Sequence, residues 1–356
     1  MSLELFKLNK IRSLDSPVLI TGHTGFKGTW LMLLLDALDI PYVGLSLEPK
    51  KDALYTKVRV SNLEKEIFGD IREVDLVNNV FSEQKPQVII HLAAQPLVID
   101  SYENPIETFE TNVMGTANIL EAARKTNFET FLGVITTDKV YRNDENGEKF
   151  LETDAIMGSD PYSASKAAAE NVISAWRSLN RNSEKSFISS LRAGNVIGGG
   201  DLAENRLLPD LYRALLRDES PVIRNPNSVR PWQHVLDPLV GYLFAIERSM
   251  ECRASSDYNF GPVDDALDVG TVAEIACKAW NSTLKPSLSG TQKEFHEAGL
   301  LDLSSEKAQT ELNWKPCFSQ GEAVSATIQW WKIYEETNAN KACARDLARV
   351  RNHYKI

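Results

Sequence analysis

Two residues four positions apart, Tyr162 and Lys166, have the types and the spacing of a proton-transfer pair. In a helix they would lie on the same face, and the Ala-Ala-Ala-Glu-Asn-Val-Ile segment after them is compatible with a helix. A phenol, whose ordinary pKa is roughly 10, is a poor base at neutral pH, but a neighbouring ammonium stabilises the phenolate. The same spacing is also common in ordinary surface helices, so the upstream residues must decide between the two interpretations.

A glycine-rich turn near the start of the sequence favours the chemical interpretation. Its glycines recur at every third position, as Gly22, Gly25 and Gly28, between apolar runs at 17–21 and 30–35. Strand, glycine turn and helix form the arrangement that holds a dinucleotide pyrophosphate at a helix N-terminus. A tight turn without a ligand is the alternative, and the Tyr-x-x-x-Lys pair downstream argues against it.

These residues need a frame that brings distant segments together, and the sequence predicts an α/β fold. Strands are predicted at 17–21, 42–46, 87–91, 130–136 and 186–191, and helices at 26–38, 73–84, 106–126 and 161–180. Alternating strands and amphipathic segments predict a parallel sheet covered on both faces. Beyond residue 201 shorter elements, turns and prolines predict the start of a smaller lobe.

With both motifs in view, the chain resembles the extended short-chain dehydrogenase/reductase superfamily over most of its length. Segments that agree are 91–95 (His-Leu-Ala-Ala-Gln), 112–116 (Asn-Val-Met-Gly-Thr), 192–196 (Arg-Ala-Gly-Asn-Val) and 230–232 (Arg-Pro-Trp). Sugar-nucleotide 4-epimerases typically have Ser/Thr-Ser/Ala where this chain has Thr137-Asp138-Lys139, and the deoxythymidine-diphosphate-glucose dehydratases have Thr-Asp-Glu. Thr-Asp-Lys resembles the CDP-glucose 4,6-dehydratase branch.

The resemblance implies a Rossmann-type doubly wound parallel sheet with a smaller, interleaved α/β substrate lobe. Residues 1–195, with about 230–262, would form the NAD-binding domain. Residues 196–229 and about 263–335 would form the substrate lobe, and 336–356 a C-terminal helical tail.

The same resemblance implies the loss of water from CDP-glucose, with NAD reduced and reoxidised in one cycle, as in the deoxysugar synthesis that supplies lipopolysaccharide O-antigens. Tyr162 would take the C4 hydroxyl proton, and Thr137 would hydrogen-bond the sugar and the phenol. Asp138 is expected to be the acid at C6 and Lys139 the base at C5, although the two roles could be exchanged. An ordinary Asp–Lys pair at a strand end is the alternative, but the position directly after the apolar strand favours a site.

For the cofactor, the resemblance implies a channel formed by Gly22, Thr24, Gly25, Phe26, Lys27, Gly28, Ser46, Asp70, Ile71, Leu92, Ala93, Ala94, Gln95, Thr111, Tyr162 and Lys166. Ser46 departs from the pattern, because an acidic residue that selects NAD is expected there. NADP therefore stays an alternative to NAD.

For the substrate, Asn195 and Arg230 match positions that hold the nucleotide diphosphate, and a guanidinium suits phosphate geometry. Asn205 and Arg206 would reach the cytosine ring or its ribose, or else would merely begin a helix. His91 and His234 are expected to be structural.

The bulk composition narrows the class of protein. A net charge of −10 argues against nucleic-acid binding, no apolar run is long enough to cross a bilayer, and four scattered cysteines suggest free thiols rather than disulfides or zinc. We therefore expect a cytoplasmic protein. The resemblance implies an enzyme that assembles as a homodimer or a dimer of dimers. The rival hypotheses are another nucleotide-sugar 4,6-dehydratase, a 4-epimerase and a non-catalytic nucleotide sensor.

Overall fold

The computed structural model describes residues 8–144, 147–181, 185–223, 225–288 and 301–356. The strands of this part of the chain are β1 (Val18–Thr21), β2 (Tyr42–Ser46), β3 (Leu63–Phe68), β4 (Val88–His91), β5 (Thr130–Ile135), β6 (Ser186–Ala193), β7 (Val196–Ile197), β8 (Val222–Ile223), β9 (Val229–Arg230), β10 (Gln233–His234), β11 (Asp257–Phe260), β12 (Leu267–Asp268) and β13 (Ser287–Leu288).

The helices of the same residues are α1 (Asn9–Arg12), α2 (Phe26–Ala37), α3 (Val74–Gln84), α4 (Val98–Glu103), α5 (Pro105–Phe109), α6 (Thr116–Arg124), α7 (Pro161–Asn180), α8 (Leu207–Leu216), α9 (Leu236–Cys252), α10 (Val269–Trp280), α11 (Glu306–Glu311), α12 (Gln320–Glu336) and α13 (Ala339–Tyr354). None of them is long and apolar enough to span a membrane. The helix predicted at 106–126 is interrupted, because a π-helical turn, Glu110–Gly115, separates α5 from α6.

Seven parallel strands form the central sheet in the order β11-β6-β5-β4-β1-β2-β3. Side chains alternate between its faces, as the pleat requires: Leu19 and Ile89 belong to one apolar cluster, and Ile20 and Ile90 to the other. Helices α3, α6 and α7 pack on the first face, and α2, α9 and α13 on the second. The predicted doubly wound parallel sheet is confirmed.

The chain order reverses at β1, whose neighbours are β2 and β4. In sheets of this kind ligands bind beyond the carboxyl ends of the strands at such a reversal, which here are the ends of β1 and β4. Short strand pairs, β7–β10, β8–β13 and β9–β12, lie outside the central sheet. The division into a cofactor domain and a substrate lobe at the predicted boundaries stays a prediction.

Candidate active site

Helix α7 begins one residue before Tyr162 because its first turn is capped. Asp160 accepts a hydrogen bond from the Ser163 backbone, the Ser163 hydroxyl lies 3.0 Å from the Asp160 backbone nitrogen, and Pro161 occupies the first turn. One turn after Tyr162, the Lys166 ammonium donates to the Ile135 carbonyl at 3.1 Å. The predicted Tyr–Lys pair is thereby held against the carboxyl end of β5.

Thr137 joins the phenol of this helix to the carboxyl group that follows β5. Its hydroxyl donates to Asp138 Oδ1 at 2.9 Å, and its side chain also hydrogen-bonds Tyr162. The half-buried Lys139 donates its backbone N–H to the Thr137 hydroxyl at 3.3 Å. The structure thus brings together all five residues predicted to be catalytic.

Asp138 has the surroundings of a carboxylic acid that keeps its proton. Burial raises the pKa of its carboxyl group, against the opposing effects of Lys139, Thr137 and Arg230. Its Oδ2 atom has no hydrogen-bond partner among the described residues, and a Cβ at Gly194 would lie 3.1 Å from this oxygen. A side chain at position 194 would therefore crowd Oδ2, and a protonated Asp138 has a donor that no described residue uses.

Burial acts on the Tyr–Lys pair in opposite directions. It raises the pKa of Tyr162 to about 12, although the hydrogen bond between Tyr162 and Thr137 opposes the rise. It lowers the pKa of Lys166 to about 8, against the charge of Glu170. The phenol is therefore protonated at neutral pH, and a positive charge bound beside it would favour its ionisation.

Lys27 extends from the glycine turn toward the same centre. Its ammonium lies 3.5 Å from the hydroxyl of the fully buried Tyr242 on α9. Burial, followed by the charges of Lys166 and Arg206, lowers its pKa to about 7. The sequence indicated Lys27 only as a member of the cofactor loop. It gave no signal for Tyr242, which stands in the apolar stretch 238–246 of α9.

The glycine turn is shaped to receive a pyrophosphate. Gly22 has φ +76°, and a Cβ there would lie 2.7 Å from the Ala93 nitrogen, so only glycine fits between the ends of β1 and β4. Helix α2 begins after Gly25 with no side-chain cap, which leaves its first N–H groups for a ligand. Phe26 is half-buried and Gly28 buried in the first turn.

The end of β2 carries hydroxyls where a carboxylate is common. Ser46 and Thr24 are hydrogen-bonded at 2.7 Å, and Thr24 also donates to the Leu47 carbonyl. Next to them the buried His23 ring fills the space over Gly44 and pairs with Glu66 at 3.0 Å. The predicted departure at Ser46 therefore leaves a neutral hydroxyl pair at this edge.

The remaining predicted cofactor residues follow β3 and β4 or lie on the π-helical turn. Leu92, Ala93, Ala94 and Gln95 come directly after β4, and Asn112 fixes this segment by accepting from the Gln95 N–H at 2.8 Å and donating to Ser165 at 2.9 Å. The others are Asp70, which pairs with Arg72 at 2.6 Å, Ile71, which packs against Gly115, and the half-buried Thr111.

Two of the predicted substrate residues, Arg206 and Arg230, act electrostatically on the catalytic centre. Arg230 is buried on β9 and acts electrostatically on Asp138, while Arg206 acts on Tyr162 and Lys27 and pairs with Asp201 at 3.0 Å. Asn205, two residues before the first residue of α8, has φ +62°, and Asn195 is half-buried after β6. Arg206 thus lies at the start of helix α8, as the alternative interpretation predicted, and it also acts on the catalytic centre.

Both histidines that were expected to be structural are buried. The ring nitrogens of His91 lie 2.7 and 3.1 Å from the hydroxyls of Thr21 and Thr116, and burial lowers its pKa to about 3. His234 stacks on Phe318 and lies 3.5 Å from Asp346. No group of three or more His, Cys, Asp or Glu side chains in the described ranges is arranged to hold a metal ion.

Comparison with known proteins identifies the family. The profile of the NAD dependent epimerase/dehydratase family matches residues 18–261. The chain belongs to this family. It is 40% identical over 326 residues to a CDP-glucose 4,6-dehydratase of Salmonella typhimurium, across 89% of this chain and 90% of that protein. The predicted resemblance is confirmed.

Two further proteins are similar to this chain. A dTDP-glucose 4,6-dehydratase of Xanthomonas campestris is 26% identical over 332 residues, covering 88% of this chain and 92% of that protein. The structure of Thermus thermophilus UDP-glucose 4-epimerase in complex with NAD superposes with a TM-score of 0.76 at 25% identity, covering 88% of this chain and 98% of that one.

We predict that Lys27→Met raises the free energy of unfolding of the ligand-free protein. The pKa of Lys27 is 10.5 in the unfolded chain and about 7 in the folded protein. The charged side chain therefore destabilises the folded state by its full amount below pH 7, and this effect disappears above pH 10.5. The gain in unfolding free energy should be largest at pH 7 and below. It should shrink by up to about 1.4 kcal/mol per pH unit as the pH rises from 7 toward 10.5. Urea unfolding at several pH values measures it.

Lys125→Met, at the exposed end of α6, is the control and should show no such pH-dependent gain. An equal or smaller unfolding free energy for Lys27→Met at pH 7 would contradict the electrostatic account of this lysine.

Proposed function

We propose that this chain is a CDP-glucose 4,6-dehydratase that uses NAD, a lyase that forms CDP-4-dehydro-6-deoxy-D-glucose. One observation carries the proposal. The buried carboxyl group of Asp138, whose Oδ2 has no partner in the part of the chain that the structure describes, is linked through Thr137 to the phenol of Tyr162 and is followed by Lys139. Water elimination needs an acid and a base in addition to the group that handles the C4 proton. The similarity to the Salmonella enzyme supports the same assignment.

The residues around the crevice fit NAD. The uncapped start of α2 and the close approach at Gly22 suit the pyrophosphate, and the hydroxyls of Thr24 and Ser46 are placed for the adenosine ribose. Lys166, beside Tyr162, suits the nicotinamide ribose. When bound, the nicotinamide supplies the hydride chemistry, accepting a hydride from C4 and returning it to C6.

Tyr162 is the base for the C4 hydroxyl. Its phenol can release its proton only when positive charge is close. The Arg206 guanidinium lowers the pKa of Tyr162, and we propose that the Lys166 ammonium, one helical turn away, acts in the same direction. Thr137, hydrogen-bonded to Tyr162, is placed to orient the same hydroxyl. The new C4 ketone acidifies the hydrogen at C5.

Asp138 is the acid that protonates the leaving C6 hydroxyl, because burial favours its protonated form and Oδ2 has no hydrogen-bond partner among the described residues. Lys139 is proposed as the C5 base. The carboxyl group of Asp138 could also carry both proton transfers, and labelled substrate distinguishes the two schemes.

Arg206 and Arg230 are proposed to hold the diphosphate of the substrate. Both act electrostatically on the catalytic centre, and guanidinium groups match phosphate geometry. Asn195 and Asn205 complete this side of the site. The similarity to the Salmonella enzyme supports CDP as the nucleotide.

We also propose that the protein assembles as a homodimer, or as a dimer of such dimers, through α5, α6 and α7. Large apolar side chains are exposed on this surface: Ile106 at 72%, Met114 at 56% and Leu179 at 62%. Burying such side chains against a second copy would be favourable. The four cysteines are free thiols, which supports the proposed cytoplasmic location.

Incubation with CDP-glucose and NAD, followed by mass spectrometry, tests the proposed function. The product should weigh one water less than the substrate. A product of unchanged mass would indicate a 4-epimerase, and no turnover of any nucleotide sugar would favour a sensor. UDP-glucose and dTDP-glucose, tested in parallel, measure the selectivity for the base.

We predict that Tyr162→Phe lowers kcat by about 100-fold or more, because a general base contributes about 10²–10⁴-fold. NAD affinity and thermal stability should change little, since only the phenolic oxygen is removed. Tyr258→Phe, which loses a hydrogen bond to Glu311 on the far side of the sheet, is the control. A kcat within a few-fold of wild type for Tyr162→Phe would exclude Tyr162 as the base.

We predict that Ser46→Asp shifts cofactor preference toward NAD over NADP. A carboxylate at the end of β2 can accept the ribose hydroxyls and repels a 2′-phosphate. Titration of both cofactors gives the affinity ratio. Ser46→Ala, which removes the bond to Thr24 without adding charge, is the matched control, and an unchanged ratio in Ser46→Asp would mean that another residue reads the ribose.

A further inference from the structure

A buried ion pair lies directly behind the catalytic residues, one helical turn beyond Lys166. Glu170 of α7 and Arg192 of β6 are 5% and 2% exposed, and they are joined by two hydrogen bonds, at 2.9 Å from Nε and 2.8 Å from Nη2. A buried ion pair adds little stability on average, because its desolvation offsets its attraction. The position of this ion pair beside the catalytic residues therefore says more about its role than its contribution to stability does.

The Glu170 carboxylate connects three elements of the site. Besides Arg192, it accepts hydrogen bonds from the hydroxyl of Thr136 at 2.5 Å and from that of Ser190 at 2.6 Å. Thr136 directly precedes the Thr137-Asp138-Lys139 segment, and Ser190 lies on β6. The helix that carries Tyr162 and Lys166 is thus fixed to the strand end that carries the acid.

Arg192 holds the carboxylate from the other side. Its Nη1 donates to the Tyr141 hydroxyl at 2.8 Å and to the Glu152 carbonyl at 3.0 Å. The Tyr141 hydroxyl in turn donates to Asn259 on β11 at 2.7 Å. The Arg192 guanidinium therefore has partners on several segments and is fixed in place. The Glu170 carboxylate cannot rotate away without breaking its two hydrogen bonds to this guanidinium.

The charges around Lys166 oppose one another. Glu170 on its own helix favours the ammonium, whereas burial and the nearby Lys27, from the glycine turn, disfavour it. On β4, His91 is neutral at physiological pH because it is buried. Tyr162, on the same helix, is uncharged until it ionises. Glu170 is thus the nearby anion that offsets the burial of Lys166.

We propose that Glu170, clamped by Arg192, is a positioning residue that keeps Lys166 charged and holds α7 in register with the end of β5. The proposal rests on the proposed function, because it assigns Glu170 to the support of the same Tyr–Lys pair. Neither residue touches the substrate; both act through Lys166 and Thr136.

The charge of Lys166 can be followed without substrate, by NMR of protein labelled with ¹³C at the lysine ε carbon. The Lys166 resonance is identified by its absence in Lys166→Arg. In Glu170→Gln its titration midpoint should fall by about one pH unit or more, because a nearby anion is lost and the Arg192 cation stays. Arg177→Gln, which breaks an ion pair between the same helix and β11, is the control and should leave the midpoint unchanged.

If Glu170→Gln does not fold, the double variant Glu170→Met with Arg192→Met replaces the pair by apolar side chains of similar size and should show a lower midpoint too. A midpoint equal to that of wild type, in whichever variant folds, would overturn the proposal. Because this titration needs no turnover, it decides the proposal even if the protein does not act on CDP-glucose.

Kinetics with CDP-glucose supply the second readout. In Glu170→Gln, kcat should decrease more at pH 8.5 than at pH 6.5 while KM changes little, because Lys166 loses its proton at a lower pH. An equal loss at both pH values would indicate a merely structural role and would contradict the proposal. An inactive wild-type enzyme would instead refute the proposed function.

Discussion

Several ionisable side chains share one buried crevice at the carboxyl ends of β1 and β5, and this crowding sets the protonation state of each. Burial favours the neutral forms of Asp138, Tyr162 and Lys166, and only specific neighbours oppose it. A carboxyl group that keeps its proton and a phenol that loses its proton only beside positive charge are the forms that acid–base chemistry on a sugar needs. The fold supplies both by placing the end of β5 under the first turns of α7.

An excess of cations is the second consequence of the same arrangement. Lys27, Lys166, Arg206 and Arg230 converge on the crevice, and the mutual repulsion of Lys27 with Lys166 and Arg206 helps to lower the pKa of Lys27. Two diphosphates, one from a dinucleotide and one from a nucleotide sugar, would relieve this repulsion. Repulsion between these cations therefore destabilises the ligand-free protein, and ligand binding is expected to stabilise the fold.

Most of the fold and the five catalytic candidates could be predicted from the sequence, because they depend on short-range signals. Apolar runs locate the strands, Asp160 and Pro161 begin α7, and the spacing of Tyr162 and Lys166 places both on one face. The position of the Lys27 ammonium, its contact with Tyr242 and the network around Glu170 and Arg192 could not be predicted. They depend on which distant segments meet across the sheet. The sequence shows that Glu170 lies one helical turn after Lys166, but it does not show the partners of Glu170.

Elimination of water between C5 and C6 needs an acid and a base in addition to Tyr162, and we propose Asp138 and Lys139 for these roles. The most direct measurement follows the hydrogens of CDP-glucose labelled at C4 and turned over in heavy water. The account predicts a product one water lighter than the substrate, with the C4 label recovered at C6 and solvent deuterium at C5. In Lys139→Met the exchange at C5 should stop if Lys139 is the base. A wild-type product of unchanged mass without solvent deuterium at C5 would contradict the account.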